Sequence, residues 1–447
     1  MHNDLYRAFW RWHFYAGLIA LPFLVWLAVT GGLYLFKPEL ERAIYRNWIT
    51  LSAPRAPAPI SAIVGRVEQQ TGGKVTQVER PASADRSWRL RYQIGKAKPR
   101  TAFVDPLDGR VLGTTTDGGA LKTVQNLHSL AIVGKWGNAL IEIAAGWAII
   151  LIVTGAVLWW PRNGQKAIAL RPPAKSRRFW RDLHASTGAI AGLIVLFLAT
   201  TGMPWSVFWG AKVQKAITAQ GLGKPAAPGG GGHHQAAGEA RPSHDGMLPT
   251  GARQQSLPWA MQQMPMPQSH GMGDVGVDRV AAIAARSGFE APYTLTLPTE
   301  NKPYLVSRAI GRVEDSRVLY VEPSSGHILQ DASYRDFGNG SKVIEWGIQT
   351  HQGQEYKPWN RWLMLTGCIA ILVLAATAPV MWWKRRDAGR LVRPPRPRDD
   401  RRIKAGTAVA AVLGVIYPLT GGTVLAVLLF DIALQRRKRN ATASPGQ

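Results

Sequence analysis

The sequence predicts an α-helical integral membrane protein. Four long transmembrane helices come from a duplicated two-helix repeat, followed by a fifth apolar C-terminal segment, re-entrant or spanning, and accompanied by two exported α+β modules. Three observations predict it. Apolar residues, 46% of 447, gather in blocks; the 54 Lys and Arg, against 28 Asp and Glu, cluster beside those blocks; and the chain is written twice.

The blocks come first in the chain order. Phe14–Phe36, Ala139–Trp160, Ala185–Trp205 and Trp362–Trp383 each have about the 20 residues that a hydrocarbon layer of roughly 30 Å requires. Arg7 and Arg11 precede the first block, as in a secretory signal. Its apolar run is too long for one and no small-residue cleavage site follows, so it reads as an uncleaved anchor. The fifth block, Ala405–Phe430, is interrupted by Pro418 and Gly421-Gly422. Basic residues stand at both of its ends, which favours a re-entrant hairpin over a plain fifth span.

Charge orients the chain. Residues 161–182 carry seven Lys/Arg and one acid, and residues 384–404 carry ten and three. These runs flank apolar spans, so the positive-inside rule accounts for them better than nucleic-acid binding does, and no nucleic-acid partner is expected. The expected layout is a cytoplasmic N-terminus with the first span (1–36), a first outer module ending in an interfacial helix (37–138) and a second span (139–160). A basic cytoplasmic loop (161–184), a third span (185–205), a second outer module (206–361), a fourth span (362–383), a basic loop (384–404) and a C-terminal segment (405–447) complete it. The lipid bilayer is the first partner. The one cysteine, Cys368, lies in the fourth block, so the outer parts hold neither disulfide nor thiolate metal site.

The repeat is legible residue by residue. "FWRWHFYAGLIALPFLVWLAVTG" resembles "FWRDLHASTGAIAGLIVLFLATTG": with His13 set on His184, Gly17 meets Gly188 and Thr30-Gly31 meets Thr201-Gly202. "HSLAIVGKWGNALIEIAAGWAIILIVTGAVLWW" resembles "HQGQEYKPWNRWLMLTGCIAILVLAATAPVMWW". With His128 set on His351, Thr154 meets Thr377 and the double tryptophan follows 31 residues later in both. Two spans per repeat give both halves one orientation, related by a pseudo-twofold along the membrane normal. His13 and His184 then share the cytoplasmic level, and His128 and His351 the outer one.

Between the spans, "ISAIVGRVEQQTGG" has helical spacing and a glycine end, while "SWRLRYQI" and "RTAFVDP" alternate as half-buried strands. "RVAAIAARSG", "YTLTLP", "YLVSRAI" and "RVLYVEP" repeat the scheme. "LKTVQNLHSLAIV" and "VIEWGIQTHQGQ" read as short helices at the bundle rim. Neither module shows a nucleophile beside a base. Residues 220–274, an insertion rich in Gly, Pro, Gln, Met and His, show no periodicity and are expected to lack a packed core.

A lone histidine at a membrane edge is ordinarily an interfacial hydrogen-bonding group. Four of them, in two pairs matched by a repeat, point inward to function. No acid stands at the centre of a long span, which weakens an ion-transport reading; Glu142 lies near an outer end. Imidazole is a common axial ligand of haem iron, and bundles house cofactors on inward side chains. His13, His184, His128 and His351 are therefore the candidate cofactor-binding residues and ligands of haem iron. Gly17 and Gly188, four residues on and on the same face, either make room for a macrocycle or allow close helix packing. Without C-x-x-C-H, covalent attachment is excluded. Of the other histidines, His327 matches Arg110 and reads as a surface strand residue, His2 is terminal, and His233, His234, His244 and His270 belong to the insertion. There, Met247, Met261, Met264, Met266 and Met272 supply thioethers that suit Cu(I), against the plainer reading of a low-complexity loop.

The "FWRWH…G…TG" and "LHSLAIVG…G…WW" patterns, with paired outer modules, resemble the PepSY-associated transmembrane proteins over nearly the whole chain. The insertion and the last forty or so residues fall outside the likeness. That resemblance implies PepSY-like modules in the periplasm and a place in the bacterial inner membrane. It also implies haem b, two per chain, ligated by the four histidines, and a membrane oxidoreductase that reduces a ferric siderophore to release iron. Some members carry a cytoplasmic flavin reductase domain. No Gly-rich nucleotide fingerprint follows a strand here, so a separate protein or a membrane quinol is the expected electron donor. No catalytic residue is assigned. The rival functions are a non-enzymatic envelope-binding or regulatory protein and periplasmic copper handling.

Overall fold

The structure is a computed structural model that describes residues 3–51, 56–160, 168–223, 257–261, 267–269, 271–299, 301–308, 311–385, 408 and 411–442. In chain order the helices are α1 (Asn3–Tyr34), α2 (Lys37–Ile44), α3 (Arg46–Ile49), α4 (Ile60–Thr71), α5 (Gly119–His128), α6 (Lys135–Trp159), α7 (Arg177–Thr201) and α8 (Trp209–Ala219). They continue with α9 (Val277–Arg286), α10 (Asn339–His351), α11 (Lys357–Trp383) and α12 (Pro418–Thr442). The strands are β1 (Lys74–Arg80), β2 (Trp88–Gln93), β3 (Arg100–Val104), β4 (Val111–Thr116), β5 (Tyr293–Thr296), β6 (Tyr304–Arg308), β7 (Arg317–Val321) and β8 (Ile328–Ser333). Two compact units result: Met1–Gly32, Leu127–Val213 and Arg361–Gln447 form a helical unit, and Leu33–Asn126 with Gln214–Asn360 form a sheet unit.

In the helical unit, four helices are long and apolar enough to cross a membrane: Leu5–Tyr34, Lys135–Trp159, Arg177–Trp205 and Lys357–Trp383. Each reaches beyond the block that announced it. The third begins eight residues before Ala185 because Ser176 caps it, its hydroxyl accepting the Phe179 amide at 3.1 Å. Helix α7 itself ends at Thr201, and the 3₁₀ turn Met203–Trp205 carries the stretch on to Trp205, where the expected third span ends. His13 lies ten residues after the first residue of the 32-residue α1. Small residues let the helices approach. Ala16 and Ala20, both fully buried, pack with Trp12, Trp147 and Ile150, and the Trp12 and Trp147 rings stack at 6.3 Å.

The fifth apolar block doubles back. Residues 411–416 are helical, Tyr417 breaks the helix and α12 starts at Pro418. Gly414 and Gly421, on either side of that break, meet backbone to backbone: a Cβ on Gly414 would lie 2.7 Å from the Gly421 Cα. In an unbroken helix, residues seven apart are about 10 Å distant. The hairpin geometry is therefore present. Its second arm packs on α6, where Trp147 Nε1 donates to Thr423 Oγ1 at 2.8 Å. Of the second basic loop, residues 386–404 lie outside the described residues.

The sheet unit is a single antiparallel sheet of order β4-β3-β2-β1-β5-β6-β7-β8. The two modules are thus fused through β1 and β5, with Gln77 opposite Thr296 and Arg80 opposite Tyr293. Each half has a helix and four strands in the same order. The ladder shifts at matching places, between Phe103 and Val104 and between Tyr320 and Val321. Helices α4 and α9 cover one face over Ile63, Val67, Val78, Leu90, Val280, Leu295 and Leu319. Asp278 of α9 caps α4, accepting the Ile60 amide at 2.6 Å.

The insertion departs from expectation. Leu257, Trp259 and Met261 are buried with Leu305, Tyr320, Phe337 and Ile348 in the core on the other sheet face. Apolar burial ties this piece of a low-complexity segment down. Met261, 1% exposed, is therefore not a free thioether, while Met272 is exposed. Met247, Met264, Met266, His233, His234, His244, His270 and His2 lie outside the described residues. His327 sits in the turn before β8 and not in a strand.

Candidate functional site

Helix α1 carries His13 and α7 carries His184, and the bundle brings the two rings together. Their centroids are 6.3 Å apart and their planes lie at 89°. Each ring is held by the partner span of its own repeat. His13 Nδ1 lies 3.1 Å from the Leu151 carbonyl oxygen and 3.1 Å from Thr154 Oγ1, both on α6. His184 Nδ1 lies 2.8 Å from Thr377 Oγ1 on α11.

These contacts decide which nitrogen holds the proton. A carbonyl oxygen only accepts, so Nδ1 of His13 donates. Thr154 donates its hydroxyl to the Ile150 carbonyl at 2.6 Å, and Thr377 to Val373 at 2.8 Å. Each threonine is thereby left as an acceptor for Nδ1–H. Both imidazoles keep their Nε2 lone pair free of these bonds, which is the tautomer a metal ligand needs.

His128 follows the same plan from another direction. It closes α5, and the chain then turns through the 3₁₀ segment Ala131–Val133 and Gly134 (φ +74°) into α6, as the sequence suggested. Its Nδ1 lies 2.9 Å from Thr30 Oγ1 of α1, and Thr30 itself donates to the Trp26 carbonyl at 2.7 Å. Burial pushes the His128 imidazole down to about 4, against the opposing Leu27 carbonyl, so the ring is neutral at physiological pH. His351 belongs to the sheet unit, where it ends α10. The backbone after it is braced by Asn360, whose amide donates to the Thr350 carbonyl at 2.9 Å and accepts the Glu355 amide at 3.1 Å.

The His13 and His184 pair fits a six-coordinate planar iron group. Two metal–imidazole bonds of about 2 Å, with on the order of 1 Å from each nitrogen to its ring centre, span roughly 6 Å. Among the described residues no group of three or more His, Cys, Asp or Glu could hold a metal ion. Two imidazoles suit an iron whose other four donors come from a macrocycle. The glycines agree. A Cβ on Gly17 would meet only Leu151 Cδ2 and one on Gly188 only Leu374 Cδ2, each at 3.8 Å. Neither glycine serves close helix packing, and both leave space on the face of their histidine. Gly155 does serve packing: a Cβ there would come within 3.1 Å of His13 Cε1.

The three threonines were visible in the sequence as landmarks of the repeat, but their task as imidazole acceptors was not read from it. The signal was their recurrence at equal offsets from a histidine.

No curated protein matches the chain. The family described as the PepSY-associated TM region matches residues 10–385, more than four-fifths of the sequence. With four apolar helices of spanning length beside a β-rich unit, this chain is a membrane-associated protein belonging to the PepSY-associated transmembrane family.

Proposed function

We propose that the protein is an inner-membrane reductase containing haem b that passes electrons across the membrane to a ferric siderophore in the periplasm. The carrying observation is the His13 and His184 pair: two imidazoles 6.3 Å apart, each turned by a threonine at equivalent repeat positions so that Nε2 is left to a metal. A b-type haem bound there supplies one-electron transfer.

The chain's own residues hold and orient. Thr154 and Thr377 fix the tautomer of the two rings and resist their rotation. Gly17 and Gly188 leave a slot on the same helix faces, and the apolar walls of α1, α6, α7 and α11 keep water away. His128 and His351 are the ligands proposed at the outer level. The eight-stranded sheet unit is the docking surface proposed for the ferric siderophore, and a separate protein or a membrane quinol is the electron donor. Reduction helps release because Fe(II) binds hard oxygen donors less tightly than Fe(III).

A reduced-minus-oxidised optical spectrum of protein purified after haem-replete expression tests this reading. The expected result is the sharp visible bands of low-spin b-type haem, with two haems per chain. Purified protein with no Soret band would overturn it and favour an envelope-binding role.

A further inference from the structure

The helical unit has a second polar locus, away from His13 and His184. Asn138 and Glu142 stand one turn apart on α6, 7% and 1% exposed. One turn further, Gly146 lies against Thr420 of α12, which is fully buried. Asn138 Oδ1, Glu142 Oε1 and Thr420 Oγ1 all lack a hydrogen-bond partner among the described residues. The other Glu142 oxygen accepts the Phe208 amide at 3.0 Å and the Trp209 amide at 3.3 Å, and so caps α8. Capping explains Oε2. It gives no reason for a carboxyl whose Oε1 is buried among apolar helices, where an ionisable group is costly and is usually kept for function. Three neighbouring buried oxygens of this kind call for water.

We propose that Glu142 is a proton-exchanging residue, reached by water held along Asn138 and Thr420, that takes up a proton when an electron enters the helical unit. This rests on the haem reading above. The step balances: the donor's electron reduces Fe(III) to Fe(II), and the carboxylate with one proton becomes a neutral acid. When the electron leaves to the ferric substrate, the proton leaves too. Glu142 lies twelve residues, about 18 Å of helix, from Thr154, toward the end of α6 where His128 stands.

The elements packed around Glu142 bring few other titratable groups among the described residues. They are Lys135 on α6, with Nζ over the Trp136 ring, Lys212 on α8, with Nζ 4.3 Å from the centre of the Phe208 ring, the exposed Lys215 further along α8, and Tyr417, packed on Trp209. No second acid stands on α8, on Met203–Trp205 or on residues 411–430.

Redox titration of the purified full chain at a series of pH values tests the proposal, with Glu142→Gln as the variant. Glutamine keeps an oxygen for the Phe208 and Trp209 amides but takes no proton. The wild-type midpoint potential is expected to fall as pH rises, and the Glu142→Gln potential to stay flat. An infrared difference spectrum of the wild type should gain a carboxylic-acid carbonyl band on reduction that shifts in deuterium oxide. Haem with a pH-independent potential, an undiminished slope in Glu142→Gln, or no such band would each overturn this inference alone. Wild-type protein without haem would overturn the functional reading first, and this one with it.

Discussion

The two imidazole sockets at His13 and His184 are copies by sequence, yet they are built unequally. His13 shares its Nδ1 proton between Leu151 and Thr154, at 3.1 Å each, and rests against Gly155. His184 makes a shorter bond of 2.8 Å to Thr377 and also faces the Leu374 carbonyl, the counterpart of Leu151, while the position matching Gly155 is Ala378. What survives duplication is the threonine, whose hydroxyl is committed to its own helix four residues back and so must accept from the imidazole. The glycine is a local fit to one ring. His128 repeats the lesson, since Thr30 treats it in the same way.

That contrast sets the order of expected effects. Replacing His13 or His184 by Ala should abolish the haem of their shared level, seen as loss of its bands from the reduced spectrum. Next come the threonines. Thr377→Val removes the 2.8 Å acceptor of His184 and leaves it the Leu374 carbonyl, and loss of such an outer partner typically weakens metal binding about 10–100-fold. Haem retention during dilution should fall within that range. Thr154→Val should fall less, because the bond it removes is longer, 3.1 Å against 2.8 Å, and the Leu151 carbonyl remains 3.1 Å from His13; an equal loss in the two variants would break the comparison. Gly155→Ala should act more weakly still. Its Cβ, 3.1 Å from His13 Cε1, asks the ring to move a few tenths of an ångström. A small shift of the visible band is expected, with none for Ala378→Gly. Last, rings at 89° predict a strongly anisotropic low-spin paramagnetic resonance signal from the oxidised protein, where parallel rings would give a rhombic one.

The spans and the repeat were legible because hydrophobic length and matched histidine spacing are local signals. Strands were less so. In β1, "KVTQVER", the ladder shifts between Val75 and Gln77, and that irregularity breaks the period-two pattern that would have revealed it. In β4, "VLGTTT", no residue is fully buried, and in β8, "ILQDAS", Gln330 points inward, so neither alternates as a half-buried strand should. Fusion of the two modules through β1 and β5 is a long-range pairing that no window of sequence contains. Leu257, Trp259 and Met261 were hidden by their low-complexity surroundings. Of the site, the histidines were legible as residues, but their orientation was not. Helix α7 had to begin at Arg177, and Thr377 to stand opposite, before His184 faced His13.

The central claim is that His13 and His184 grip one and the same iron. The haem-to-protein ratio of the wild type, of His13→Ala, of His184→Ala and of the double variant tests it most directly. The account predicts that both single variants and the double variant each lose one haem per chain, the same one by spectrum. A double variant that loses more than either single one, or single variants that lose spectrally different haems, would contradict it.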